Sequence, residues 1–496
     1  MFKKLATYLP LMSGDEYNIP KQITSLVNFF YDVYFNKIDE RERMWRELNP
    51  PSDIPMDPIL ALKEEWLNAE VHDFICINQS YPAYAKSRNA WAFFNLLFGK
   101  SALYEVFPVV ENCRFKDLIK SFFKIEREQL NIDLGIPATL PVFGRYFITH
   151  KATGAHLVVD FDFCFQQPYT CDIKISASPK DQERAEEFFK NVICALAEHD
   201  IYHKKILSYN KGFLDFQGIK PTLWNDLVLK PETIEKIRVN SVCVLDNIDG
   251  LKRVGMCPNR NTLLISPPGM GKTTIFRAIS CEMVGNATLI WCTGKSIKYP
   301  EDVTSLFEAA RGLTPCAVII EDMDLFGRDR GSLSNMESQV FNEFLACLDG
   351  AQDNSGLIVL ASTNDAKSMD SALLQRPGRF HAKVEIPYPD LSDRLAIMRK
   401  FLHSYKCTPD DSVNKEVLNN IAQMMDGMTG DYLKELVSSI TLRAISDGRS
   451  TPHGVIFNAS DMIAAGEQVL DNYRIGKMSK MHHKYDSATE GPTEAA

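Results

Sequence analysis

The chain has 496 residues, room for roughly three or four domains at about 100–200 residues each. Its 45% hydrophobic and 24% charged residues are those of a soluble globular protein. A formal net charge of −9 argues against a dominant nucleic-acid or anionic-membrane surface. The 12 cysteines form no C-x-x-C pair, which points to reduced, mostly buried thiols and a cytoplasmic setting. Met1-Phe2-Lys3-Lys4-Leu5 lacks the apolar core of a signal peptide. The most apolar window, Ala90 to Phe107, holds Lys100 and Glu105, so it reads as a buried helix and not a membrane span.

Residues 1–135 read as a mostly helical N-terminal region. The aromatics Phe29-Phe30-Tyr31 and Val33-Tyr34-Phe35 suit a core, and Pro50-Pro51-Ser52-Asp53-Ile54-Pro55 a loop. Phe115 to Asn131, with Leu118, Phe122, Phe123 and Ile125 at helical spacing, predicts an amphipathic helix. Residues 136–212 read as a small α/β recognition domain. Val142 to Thr149 is strand-like, and Lys151-Ala152-Thr153-Gly154 is a turn. Val159, Phe161, Phe163 and Phe165 then alternate with Asp160, Asp162 and Cys164, the period of a half-buried strand. Asp160 and Asp162 share one face, expected to be solvated. Cys171 to Ser176 suits a strand and Pro179 to His199 a helix. His199 and His203 stand at i, i+4 without a third ligand, which makes a metal site improbable. Residues 213–250 form a linker and a helix at Glu232 to Asn247. A core over 251–390, a helical lid over 391–475 and a disordered tail over 476–496 follow. No internal repeat is present.

The chemistry centres on Ser266-Pro267-Pro268-Gly269-Met270-Gly271-Lys272-Thr273 and the following Thr274. It lies between an apolar strand, Thr262-Leu263-Leu264-Ile265, and a helix. Strand, glycine turn and helix N-terminus make a phosphate-binding loop whose N–H groups point at an anion. Lys272 can reach the outer phosphates and Thr273 can ligate magnesium. The pattern G-x-x-x-x-G-K-[ST] has glycine where this chain has Ser266. A second apolar strand, Ala317-Val318-Ile319-Ile320, ends in Glu321-Asp322-Met323-Asp324. One carboxylate of such a pair holds the metal, and the other orients or deprotonates the attacking water. A third strand, Leu357-Ile358-Val359-Leu360, ends in Ala361-Ser362-Thr363-Asn364, whose amide can hold water or a phosphate oxygen. Arg376-Pro377-Gly378-Arg379-Phe380 presents two guanidinium groups on a rigid turn.

These pieces, with Phe344-Leu345-Ala346-Cys347-Leu348-Asp349-Gly350 and Ile386-Pro387-Tyr388-Pro389-Asp390 with Arg394, resemble the AAA ATPases. The branch resembled also holds the proteasomal ATPases, FtsH, katanin and valosin-containing protein. The resemblance runs from about Trp224 to about Leu470. It implies a parallel P-loop α/β sheet with a helical AAA lid, here preceded by the helical region and the small α/β domain. It implies ATP and Mg2+ as ligands, with Lys272 on the β- and γ-phosphates and Thr273 and Glu321 on the metal. Glu321 and Asp322 fall at Walker B, Asn364 at sensor 1, and Arg376 and Arg379 at the arginine fingers. Those fingers act on a neighbouring subunit's ATP, which implies a ring, usually a hexamer. Asp226 and Val228 fall where the family packs backbone on adenine, and Gly430 near the lid contact to the nucleotide. Most of this branch has Asp-Glu where this chain has Glu321-Asp322. The family's mitochondrial Rieske-protein translocases share the inverted order and are taken to hydrolyse ATP. At the pore-loop position stands Lys295-Ser296-Ile297-Lys298-Tyr299-Pro300-Glu301-Asp302, where Tyr299 is either a pore aromatic or ordinary loop packing.

The leading expectation is an ATP-hydrolysing ring that remodels, unfolds or disassembles a protein substrate or adaptor recognised by the N-terminal half. A nucleotide-gated scaffold with little turnover, motivated by Ser266 and Asp322, is the first alternative. A nucleic-acid ATPase with Lys298, Arg328 and Arg330 along a channel is the second, and the acidic charge disfavours it.

Overall fold

The computed structural model describes residues 63–489 apart from 65, 83–85, 100–101, 108–125, 165–169, 326–334, 350–351, 366–368, 370 and 377. The expectations for residues 29–35 and 50–55, for the first part of the 115–131 helix, and for Arg328, Arg330 and Pro377 lie outside the described residues. The chain forms two compact units, residues 1–201 with 212–215 and residues 202–211 with 216–496.

The first unit is built on one antiparallel sheet. Its elements are β1 (Ile75–Pro82), α1 (Lys86–Phe98), β2 (Tyr104–Phe107), β3 (Glu126–Asp133), β4 (Ile136–His150), β5 (His156–Cys164), β6 (Thr170–Ala177) and α2 (Gln182–Glu198). The strands run in the order β1-β6-β5-β4-β2, with β3 paired to β4. Alternate residues Tyr146, Ile148, Val159, Phe161, Ile173 and Ile175 share one buried core with residues of both helices. Phe93 of α1 sits 4.5 Å, centroid to centroid, from Phe161.

Three sequence expectations are corrected here. The described residues before 136 hold three strands beside the helix α1 and short helical turns at 63–64, 66–67 and 71–73, and one sheet crosses the expected boundary at 135. Residues 126–131 are strand, not helix. Leu130 and Ile132 satisfy a period of two as well as a helical one, and the Leu134-Gly135 turn (Gly135 φ 68°) folds β3 back onto β4. The window from Ala90 holds a helix only to Phe98, followed by the strand β2.

Asp160 overturns a fourth expectation. Asp162 is exposed, but Asp160 is only 7% exposed. It accepts from Lys63 Nζ at 2.9 Å and from Arg145 Nε at 2.5 Å. A carboxylate is retained in such a place because two cations meet it there. Replacing Asp160 by alanine strands both cations and should cost about 3–5 kcal/mol of stability. Denaturant unfolding of the full chain checks this, and an unchanged midpoint would show that the triad contributes nothing.

The second unit begins with β7 (Ile206–Asn210); β8 (Phe213–Phe216) follows, with residues 213–215 counted in the first unit. Next come α3 (Pro231–Val239), α4 (Val242–Asp246) and α5 (Ile248–Arg253). The central run is β9 (Thr262–Ile265), α6 (Lys272–Met283), β10 (Thr288–Thr293), α7 (Pro300–Gly312), β11 (Cys316–Glu321), α8 (Asn335–Leu348), β12 (Leu357–Thr363), α9 (Ser371–Leu374) and β13 (Ala382–Glu385). The sheet order is β13-β9-β12-β11-β10-β7-β8, parallel from β13 to β7. Its inner strands are apolar almost throughout because helices cover both faces. β7 was expected inside the recognition domain to 212. Instead Leu207 and its neighbours pair with β10, extending the nucleotide sheet.

The lid comprises α10 (Leu391–Ser404), β14 (Cys407–Pro409), α11 (Lys415–Met424), α12 (Gly430–Ser446), β15 (Ser450–Thr451), β16 (Gly454–Phe457) and α13 (Ala459–Thr489). It has its own core around Leu433, Leu436, Val437, Ile440 and Phe457. Buried Arg394 ties its first helix down, donating to Ala422 O at 2.7 Å and Pro389 O at 2.8 Å. The tail expected to be disordered from Gly476 is helical to Thr489. Gly476 is its only helix breaker before that point. Among the described residues no helix is long and apolar enough to cross a membrane.

Candidate active site

β9, β12 and β11 are neighbours in parallel register, so their carboxyl ends lie side by side. Ser266 follows β9, Asn364 follows β12 and Asp322 follows β11. The order of the sheet therefore puts Asn364 between the phosphate loop and the acidic pair. The crevice beyond the carboxyl ends of parallel strands is where ligands bind in open α/β sheets.

The loop leaves β9 through Ser266, whose N–H donates to Thr363 O at 3.3 Å. Gly269 and Gly271 take φ of 81° and 82°, which side chains disfavour. At Gly269 a Cβ would also stand 2.7 Å from Thr429 Oγ1 and 2.9 Å from Asp431 Oδ2. Helix α6 starts at Lys272 and directs its free N–H groups back at the loop. Thr273 and Thr274 occupy its first turn. Pro267 and Pro268 stiffen the entry, and Met270 packs against the core below.

Lys272 is 8% exposed. Its ammonium donates to Ser266 O at 2.8 Å, Ser266 Oγ at 3.0 Å, Pro267 O at 3.2 Å and Asn364 Oδ1 at 2.8 Å. Asn364 in turn donates from Nδ2 to Asp322 Oδ1 at 3.0 Å. Lysine, amide and carboxylate thus form one continuous chain. Burial holds the Lys272 ammonium below the ordinary lysine value, while Asp322, then Asp324 and Glu321, pull it the other way.

Ser266 fills the usual glycine position with a hydroxyl that receives Lys272 and donates to Pro267 O at 3.1 Å. Asp322 has φ of 53°, left-handed backbone that Asp and Asn tolerate better than Glu. That is a physical reason for the shorter carboxylate to stand second in Glu321-Asp322.

Sequence reasoning missed three residues here. Asp324 accepts the Asn364 N–H at 3.2 Å, and Ser362 Oγ accepts the Asp322 N–H at 3.4 Å. Asp431 donates its N–H to Gly269 O at 3.1 Å, which seats the lid on the phosphate loop beside Gly430. Asp324 and Ser362 lie within the quoted strand ends, and Asp431 adjoins Gly430, so adjacency was the available signal.

Asp226 and Val228 lie on the strap before α3. Among the described residues no hydrogen bond joins Asp226 to the loop; its carboxylate accepts from Leu223 N at 2.8 Å. Lys400 of α10 donates to the strap carbonyls of Asn225 and Leu227. Arg376 and Arg379 are not brought to this chain's own loop; both meet Asp349.

A magnesium nucleotide fits this donor set: a buried lysine, left-handed glycines, a helix N-terminus, a threonine hydroxyl and three acidic side chains. Parallel strands feeding such a loop define a P-loop nucleoside triphosphatase site. The family model for the ATPase family associated with various cellular activities (AAA) matches residues 262–388. The chain is 30% identical over 277 residues to the proteasome-activating nucleotidase of Sulfurisphaera tokodaii, covering 54% of this chain and 67% of that protein. It is 33% identical over 209 residues to the ATP-dependent zinc metalloprotease FtsH of Acidothermus cellulolyticus, covering 40% of this chain and 30% of that one. It is 32% identical over 198 residues to the ATP-dependent zinc metalloprotease YME1L1 of Homo sapiens, covering 38% and 25%. The chain thus spans about a third or less of those two metalloproteases. The chain belongs to the AAA family of ATPases. Zinc is named for the metalloproteases; among the described residues here, no group of three or more His, Cys, Asp and Glu is placed to hold a metal.

Proposed function

We propose that this chain hydrolyses ATP to ADP and phosphate as a cytoplasmic ring, most simply a hexamer, and uses the cycle to remodel, unfold or disassemble protein substrates. The observation that carries the reading is the Lys272–Asn364–Asp322 chain at the heads of three adjacent strands. Lys272 exchanges its acceptors for β- and γ-phosphate oxygens. Asn364 and Asp322 hold the attacking water, and Asp322 takes its proton. The water oxygen bonds to the γ-phosphorus as the bond from that phosphorus to the bridging oxygen breaks. Thr273 and Glu321 would hold magnesium, which neutralises charge on the phosphates.

Protein remodelling draws support from Tyr299, which is 43% exposed at the start of α7. Buried Asp302 accepts the N–H groups of Lys298 and Tyr299 at 2.9 and 3.0 Å, so the exposed ring stands on a rigid turn. The N-terminal unit, with its own sheet and core, suits the recognition of a substrate or adaptor. An unfolded protein such as casein should stimulate ATP turnover. Tyr299→Ala should abolish that stimulation and spare the basal rate. Equal stimulation of both proteins would remove Tyr299 from substrate handling.

A nucleotide-gated scaffold is the second reading. The acceptors gathered on Lys272, Ser266 Oγ among them, favour it because each competes with phosphate for the ammonium.

A further inference from the structure

The turn that carries the exposed Tyr299 ring is anchored from a distant strand. β7 pairs with β10 through Ile206, Leu207 and Ser208, and the pairing ends there. Tyr209 follows on the same side of the strand as Leu207; both are buried, Tyr209 to 1% exposure. A buried tyrosine needs a partner for its hydroxyl. Tyr209 donates to Asp302 O at 2.7 Å, 93 residues along the chain. Asp302 lies in the first turn of α7, and its Oδ2 is the atom that receives the N–H groups of Lys298 and Tyr299. The Asp302 N–H in turn donates to Tyr299 O at 3.0 Å. Asp302 thus holds the turn with its carboxylate and its N–H, and is itself held to the sheet by its carbonyl.

A carbonyl oxygen has two lone pairs, so Asp302 O can serve its helix and a hydroxyl together. The Tyr209 bond therefore adds to α7 without replacing any part of it. One turn on, Thr304 Oγ1 donates to Glu343 Oε1 of α8 at 3.0 Å. The start of α7 is thus tied to β7 through Asp302 and to α8 through Thr304. We propose that Tyr209 is a positioning residue for substrate handling: its hydroxyl fixes Asp302, and through Asp302 the direction in which the Tyr299 ring meets an extended, unfolded polypeptide. This rests on the reading of Tyr299 given above. It gives β7 a part in substrate handling besides extending the nucleotide sheet. The ring of Tyr209 fills the core and its hydroxyl does the positioning. Phenylalanine separates the two, because it keeps the ring and removes only the donor.

The test uses the full chain and its Tyr209→Phe, Leu207→Val and Tyr299→Ala variants, with casein as the unfolded substrate. In Tyr209→Phe the casein concentration that half-maximally stimulates ATP turnover should rise by about 3- to 10-fold, the value of one neutral hydrogen bond. The KM for ATP should not change. Hydrogen exchange of the amides at 298–302 should quicken, since the turn has lost its tie to the sheet. Leu207→Val is the control for a merely weakened strand: it leaves the Tyr209 hydroxyl in place, and it should lower the Tm while keeping the wild-type casein dependence and exchange. Wild-type casein dependence or wild-type exchange in Tyr209→Phe overturns the inference. So does an equal loss in Leu207→Val, which would make the effect one of strand stability. A Tyr299→Ala protein stimulated as strongly as wild type would instead sink the reading of Tyr299 on which the inference rests.

Discussion

Lys272→Ala is expected to remove ATP turnover and to weaken nucleotide binding by on the order of 10- to 100-fold, the value of one or two charge-assisted hydrogen bonds. The reason lies in where the ammonium sits. It is buried, it faces Asn364 Oδ1 and three oxygens of Ser266 and Pro267, and the carboxylates of Asp322, Asp324 and Glu321 act on it. No other lysine or arginine is bonded to these loop oxygens among the described residues. Alanine leaves the Asn364 side-chain amide bonded only towards Asp322, so on the proposed mechanism the amide loses its orientation and the attacking water its second holder. Turnover should therefore fall further than binding. Titration with a fluorescent ATP analogue and steady-state phosphate release separate the two effects. Wild-type affinity in a folded Lys272→Ala protein would remove the lysine from the phosphate site.

The nucleotide unit is legible in the sequence because its parallel strands are short apolar runs with chemistry at their ends. Thr262–Ile265, Cys316–Glu321 and Leu357–Thr363 can be read one by one, and their order in the sheet then assembles the site. The first unit is harder to read because its decisive contacts are remote. Asp160 meets Lys63 from 97 residues away, so its alternation with Val159 and Phe161 looks like a solvated face. Leu130 and Ile132 fit two periods, and only β4 chooses between them. Asp349 belongs to a quoted motif, but its partner Arg379 lies 30 residues on, and the unequal burial of the two arginines leaves no trace in Arg-Pro-Gly-Arg. Nor does a residue type announce the left-handed backbone of Asp322.

That backbone makes Asp322→Asn the cleanest test of the chemistry. Asparagine has the shape of aspartate and shares its tolerance of φ near 53°, so the strand end and the Ser362 contact persist. What disappears is the charge and the ability to take a proton. Single-turnover ATP decay should slow by about 10²–10⁴-fold, the usual worth of a general base. Binding should hold, since a carboxylate that repels phosphate is gone. Asp322 is also the foremost of the charges that raise the Lys272 value against burial. Removing it lets the lysine fall further below its ordinary value, so the alkaline loss of ATP binding should begin at lower pH in Asp322→Asn than in wild type. A mere misfolding effect would weaken binding equally at every pH. Asp322→Glu asks the complementary question. It keeps the base but adds a methylene at a left-handed position, where a longer side chain is costlier. If it hydrolyses ATP faster than wild type, the inverted Glu321-Asp322 order throttles turnover. If it is slower, the backbone at 322 has been built around the shorter acid, and the inversion is part of how this site works.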